Sequence, residues 1–249
     1  MLDPTNLYFI FSLGLGVFIQ GIVGFGFGLI TVPLLAIVFS AKSVIPFVLV
    51  LSQCVNILLI GYYRRSISLS HYWPLHGMAI VGLPVGFWVF SIATELFLKA
   101  IIGCLVLAGV LVYSLQFSRP TVYEKAGLSL AGFFSGCLTS AAGTGGLPIV
   151  FFFLNQNKEK TEFKGNMGVC FVLMGFIVIP LFWFFGLITR AILLKALLYL
   201  PWTVACFLLG LSIAGRVNQG LFRRIVLVLL FVIGLVLLLT TVGLNDVAL

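Results

Sequence analysis

The side chains able to do chemistry at depth in this 249-residue chain are neutral hydrogen-bonding groups. Gln20, Thr31, Ser52, Gln53, Asn56, Ser135, Thr139, Ser140, Thr144 and Asn166 all fall within or at the edge of long apolar runs. The six acidic residues, Asp3, Glu95, Glu124, Glu159, Glu162 and Asp246, stand instead at termini, loops or run edges. Cation pathways and proton relays need carboxylates within the membrane, so this pattern argues against a cation carrier. It also argues against carboxylate acid/base chemistry. Ser140 and Cys137 are nucleophiles by type, but no mid-span His or Asp is there to activate them, and no enzyme is expected. Neutral donors without a competing carboxylate suit a small anion, and helix N-termini would add backbone donors of the same polarity.

Two glycine-rich segments must position these groups. The first runs Gly21-Ile-Val-Gly24-Phe-Gly26-Phe-Gly28-Leu-Ile-Thr-Val-Pro33 and the second Gly136-Cys-Leu-Thr139-Ser-Ala141-Ala-Gly143-Thr-Gly-Gly-Leu-Pro148. The outer Gly, the inner Gly and the Pro recur at the same spacing. Glycine exposes backbone and proline removes a donor. Such backbone is tolerated in lipid only where protein buries it or a cavity lies beside it. A matched pair of Gly/Pro-interrupted segments is therefore a pointer to a transporter's substrate site. The competing reading is close helix–helix packing through small residues. Gln53 and Asn56, three apart, share a helix face and serve either the site or interhelical bonding. Asn166 serves either the path or a helix N-cap.

The chain is 62% hydrophobic and 8% charged, which makes it a polytopic, all-α membrane protein. The apolar segments are approximately 7–40, 44–63, 72–93, 97–117, 126–154, 166–187, 191–214 and 221–243. The first would be about 51 Å of helix, too long for one comfortable crossing of a core of about 30 Å and too short for two. A broken segment that enters and returns fits, and 126–154 carries the same motif. If both are re-entrant, six spans cross. Lys42, Lys99, Arg190 and Lys195 then share a side with both termini, and the other ten of the 14 basic residues share the opposite side. That distribution obeys the positive-inside rule and places both termini outside. Each half, 1–120 and 121–249, becomes a motif segment (7–40 or 126–154) plus three spans, and the halves are inverted repeats.

The remaining features have plain readings. Met1–Asn6 lacks a basic stretch, so no cleavable signal is expected. The five cysteines form no CxxC pair and read as buried small hydrophobes, so no disulfide, metal or other cofactor is expected. The net charge of +8 is spread over short loops and implies topology, not nucleic acid. Lys164 either attracts the anion or belongs to the cytoplasmic charges. Arg64 and Arg65 meet lipid head groups. His71 and His76, beside Tyr72 and Trp73, sit at the interface with the aromatic belt. The polar run Asn155–Lys164 reads as a solvated loop.

The core G-x-x-G-x-G-x-G-x4-P at Gly21–Pro33, its repeat at Gly136–Pro148, and Phe163-Lys-Gly-Asn-Met167 opening a helix resemble the TauE/SafE family of sulfite and organosulfonate exporters. The resemblance covers nearly the whole chain. It implies a multi-pass carrier of the bacterial inner membrane that exports a small sulfur-containing anion such as sulfite, thiosulfate or an organosulfonate. Its partners would be that anion and the bilayer, with a homodimer left open. One departure is Thr139-Ser-Ala-Ala, where the family has glycine. The residues expected to meet the substrate are Gly24, Gly26, Gly28, Gln53, Asn56, Thr139, Ser140, Gly143, Thr144 and Asn166, with Gly21, Pro33, Gly136 and Pro148 shaping the segments. A passive anion channel, an importer of a small anion and an intramembrane enzyme are the rival readings.

Overall fold

The computed structural model describes residues 3–114, 124–154 and 160–243. The described residues form ten α-helices and no strand: α1 (Pro4–Val23), α2 (Phe27–Val38), α3 (Ala41–Tyr63), α4 (Trp73–Ile92), α5 (Glu95–Ser114), α6 (Glu124–Ala142), α7 (Gly146–Leu154), α8 (Lys160–Phe184), α9 (Arg190–Ile213) and α10 (Gln219–Gly243). Six are long and apolar enough to cross a membrane: α1, α3 with the 3-10 turn that follows it, α4, α8, α9 and α10. α1, assigned from sequence to a broken segment, is itself of spanning length.

The first motif segment folds as a helical hairpin. Gly24 takes φ of 92° and its N–H bonds the Gln20 carbonyl, ending α1 with a left-handed cap. Gly26, with φ of 111°, precedes α2 and supplies no side-chain cap. α2 then runs back along α1. The Tyr8 hydroxyl donates to the Leu34 carbonyl at 2.6 Å, and the Thr31 hydroxyl donates to Ser12 at 3.3 Å. Gly16 lies against Thr31 and the Phe27 carbonyl, so α2 starts about two turns back from the end of α1, inside the bundle.

The second hairpin breaks later in the motif. α6 continues through Thr139 and Ala141, the counterparts of Gly24 and Gly26, because neither residue takes positive φ readily. It stops at Gly143, which has φ of 67°. Gly143 N–H bonds the Thr139 carbonyl, the single bond of an αL cap, and Thr144 N–H reaches back to the Leu138 carbonyl. The break is thus one helical turn further along than the shared spacing implies. Pro148 consequently falls at the third position of α7, where its missing N–H leaves nothing unpaired, whereas Pro33 is the seventh residue of α2.

The two halves interlock. α1 packs in parallel on α9, with Gly14 beside Cys206 and Gly21 beside Gly210. α4 packs in parallel on α6, with Leu75 beside Gly132 and Ala79 beside Gly136. A Cβ on Gly21 would meet the Phe207 carbonyl, and one on Gly136 would overlap that of Ala79, so the outer glycines serve close packing. α3 and α8 cross antiparallel: Gln53 meets Gly175 and Tyr63 meets Gly165. α5 and α10 do the same, with Gly103 at Leu238 and Leu107 at Gly234.

On the face where α1 begins, Glu95 accepts from the Ser40 hydroxyl (2.8 Å) and from the N–H groups of Ala41 and Lys42. The α5 start is thereby tied to the α3 N-terminus, where a carboxylate is favoured. Lys195 lies on the same face, its ammonium 4.1 Å from the centre of the Phe9 ring and near those of Phe39 and Phe47. On the opposite face, Asn166 accepts from Ser68 N–H, His71 contacts Glu124 at 3.1 Å, and the Tyr72 hydroxyl donates to Glu162 at 2.7 Å. Burial and that carboxylate hold the Tyr72 hydroxyl in its protonated form.

Several sequence expectations change here. His76, in the first turn of α4, is buried inside the bundle: it is 2% exposed, and neither ring nitrogen has a partner. Of the cysteines only Cys170 and Cys206 are buried, Cys54 and Cys137 are half-buried, and Cys104 is exposed. Of the run Asn155–Lys164, residues 155–159 lie outside the described residues, and 160–164 form the first turn of α8. The boundary expected at 120 also lies outside the described residues.

Candidate functional site

The two hairpin breaks meet. A Cβ on Gly28, in the first turn of α2, would overlap the Gly143 carbonyl oxygen. Only hydrogen at this position lets the backbones come so close. Beside the contact lies a cleft of about 50 Å³. Gln20 borders it from α1, Gly26–Leu29 from the start of α2, and Leu49, Ser52 and Asn56 from α3. Thr139 borders it from α6, Gly143–Gly146 from the second break, and Phe171, Gly175 and Val178 from α8.

The α2 N-terminus is the main source of donors. The N–H groups of its first turn have no acceptor within the helix, and Gly26 offers no side chain to take one. α7 also begins at the cleft, through Gly145 and Gly146. Both helix starts present the positive end of a dipole. Among the side chains, Gln20 (3% exposed) donates from Nε2 to Asn56 Oδ1 at 2.8 Å. The bond uses Asn56 Oδ1 as acceptor and so leaves the amide N–H₂ group as the donor end of this side chain. The Ser52 and Thr139 hydroxyls are spent on carbonyls of their own helices, Leu49 and Ser135. The Thr144 hydroxyl is different: it is buried, with the residue 2% exposed, and has no hydrogen-bond partner. A buried polar atom left unpaired costs about 1–3 kcal/mol. No Asp, Glu, Lys, Arg or His is among the lining residues. Among the described residues no group of three or more His, Cys, Asp or Glu converges as a metal site.

Six of the residues expected from sequence to meet the substrate come together here: Gly26, Gly28, Asn56, Thr139, Gly143 and Thr144. Four do not line the cleft. Gly24 packs on the Lys164 stem. Gln53 Nε2 donates to the Val172 carbonyl at 3.2 Å and joins α3 to α8. Ser140 bonds the Gly136 carbonyl of its own helix. Asn166 lies well inside α8, not at its cap, and bonds Ser68 and Glu162. The Lys164 ammonium donates to the Ile22 carbonyl at 2.6 Å, closing the end of α1. Gln20, Ser52 and Phe171 are lining residues that the expected set omits. Gln20 and Ser52 carried a signal, as polar residues at depth, whereas Phe171 carried none.

No curated protein and no solved structure matches the chain. A family model does: it runs from residue 8 to residue 237, through both hairpins and every helix that borders the cleft, and the chain belongs to the sulfite exporter TauE/SafE family.

Proposed function

We propose that this protein is a secondary carrier of the inner membrane that exports a small sulfur-containing oxyanion by alternating access, with the substrate held in the cleft between the two hairpin breaks. The observation that carries the reading is the donor-rich, uncharged lining. Two helix N-termini, Asn56 and Thr144 border one small space without a carboxylate. That is the polarity an anion needs. The family assignment supplies the transport class and weighs against an enzyme.

The packing supports an inverted repeat. Exchanging α1–α5 with α6–α10 turns the α1/α9 pair into the α6/α4 pair, and both are parallel. It turns α3/α8 and α5/α10 into themselves, and both are antiparallel, as a two-fold axis in the membrane plane requires. Rocking of one half against the other would open the cleft to each face in turn. Export of a monoanion runs downhill in potential: at 100 mV the drive is about 2.3 kcal/mol, roughly a fifty-fold gradient. A site with no carboxylate for a coupling cation is consistent with such a drive.

The test is uptake and counterflow in proteoliposomes with sulfite, thiosulfate, a short sulfonate and chloride, with and without an imposed potential. The expected result is saturable, potential-sensitive flux of one sulfur oxyanion, lost on Gly28→Val or Gly143→Val. Flux of none of the sulfur anions would refute the reading. Flux without saturation or counterflow would make the protein a channel.

A further inference from the structure

We infer that Phe25 is the gate residue at the end of the cleft facing away from the α1 start, and that its ring moves to admit the anion from that side. The inference rests on the transport reading above. The order of residues along the cleft follows from the α3/α8 crossing. Phe39, just before α3, meets Phe9 of α1, so α3 starts on the face where α1 begins. α8 runs antiparallel to it, with Gly175 at Gln53. Leu49 and Val178 lie about one turn from that contact toward the α1-start face. Asn56 and Phe171 lie about one turn toward the opposite face. The two ends of the cleft are built differently. At the first, Leu49, Val178 and Leu29 are buried and carried on helices. At the second, Phe25 and Phe171 are half-buried, each with part of its ring uncovered.

Phe25 reaches from the cleft toward that second face. Its ring meets Phe163, in the first turn of α8, edge-on at 6.0 Å between centroids. Phe163 in turn meets Phe153 at 5.0 Å. The two lining rings converge over the start of α7: a Cβ on Gly146 would lie 3.6 Å from Phe171, 3.7 Å from Phe25 and 3.8 Å from Met167. Rings and a thioether have no hydrogen bond to break, so opening this end costs apolar contact alone. Phe25 is also the bulky lining side chain that stands outside a helix. Gly24 and Gly26 flank it with φ of 92° and 111°. Glycine on both sides lets the backbone carry the ring to a new position without moving α1 or α2. The second break has the same length, Gly143-Thr144-Gly145, but holds a threonine at its centre. The swinging ring therefore belongs to one hairpin, and the other end of the cleft opens by parting helices.

The experiment reads sidedness. Ser52→Cys puts a thiol at the cleft between its two ends. A membrane-impermeant methanethiosulfonate is applied to right-side-out and inside-out vesicles, and label on the native cysteines is subtracted with the parent chain. Arg65→Cys marks the face opposite the α1 start. Adding Phe25→Ala should speed labelling of Ser52→Cys about tenfold from the Arg65 side and leave the other side unchanged. In proteoliposomes Phe25→Ala should add to the saturable sulfite flux a component that is linear in concentration and needs no counter-anion. Phe25→Trp, a larger ring on the same hinge, should lower maximal flux about fivefold without that leak. Labelling from the Arg65 side that is no faster with Phe25→Ala, or faster labelling from the other side, would overturn the gate and leave the transport reading intact. Absence of flux of any sulfur oxyanion through the wild-type protein would overturn both. If Phe25→Ala does not reach the membrane, Phe25→Trp decides, and wild-type flux in that variant overturns the gate.

Discussion

At the scale of single residues, Thr144 is where binding and stability part company. Its hydroxyl is buried without a partner, so in the empty protein it is a cost and not a bond. Thr144→Val keeps the shape and deletes the cost. The expected outcome is a melting temperature unchanged or raised, together with an anion KM about tenfold higher, the equivalent of one charge-assisted hydrogen bond. Thermal denaturation in detergent and proteoliposome kinetics on the same variant check both halves. If Thr144 were only a packing residue, KM would stay put. If its hydroxyl found a partner in the resting protein, stability and transport would fall together.

Among the elements, the hairpins decide where the cleft is, and Lys164 closes one of them. Its ammonium on the Ile22 carbonyl satisfies the C-terminal end of α1 just before the break, and its stem packs on Gly24. Lys164→Met retains most of the stem and loses the bond. We expect a stability loss of about 1 kcal/mol with substrate KM unchanged. A higher KM at unchanged melting temperature would instead give the ammonium to the anion. The same elements mark what the sequence makes legible. Hydropathy locates the helices, because burying backbone in lipid leaves one solution per apolar run. The paired motifs locate the two breaks to within a turn. The final turn is not legible from spacing: it depends on which motif residue can take positive φ, and Thr139 in place of glycine moves the second break to Gly143. Polar residues at depth were likewise recognisable as a class. Whether Asn56 borders the cleft while Gln53 bonds α8 depends on which neighbour each side chain meets, and periodicity does not carry that information.

At the scale of the whole molecule, the helix directions set the topology. α3 starts beside the α5 start, through Glu95, so both begin on the face where α1 begins. α10 runs antiparallel to α5 and therefore ends on that face. Lys42, Lys99, Arg190 and Lys195 are near it. Arg64, Arg65, Lys125, Lys160, Lys164, Arg216, Arg223 and Arg224 are near the opposite face, while Arg119 and Lys158 lie outside the described residues. Lys and Arg are retained on the cytoplasmic side, so the face with both chain ends should be the outer one. A periplasmic-type enzyme reporter fused after Leu249 should be active, and a fluorescent protein that matures only in the cytoplasm should stay dark at the same position. Fusions after Arg65 should give the reverse. A fluorescent C-terminal fusion with a silent enzyme fusion would turn the molecule over in the membrane. The bundle would survive that result, but the donor-rich ends of α2 and α7 would then have to load their anion from the other side.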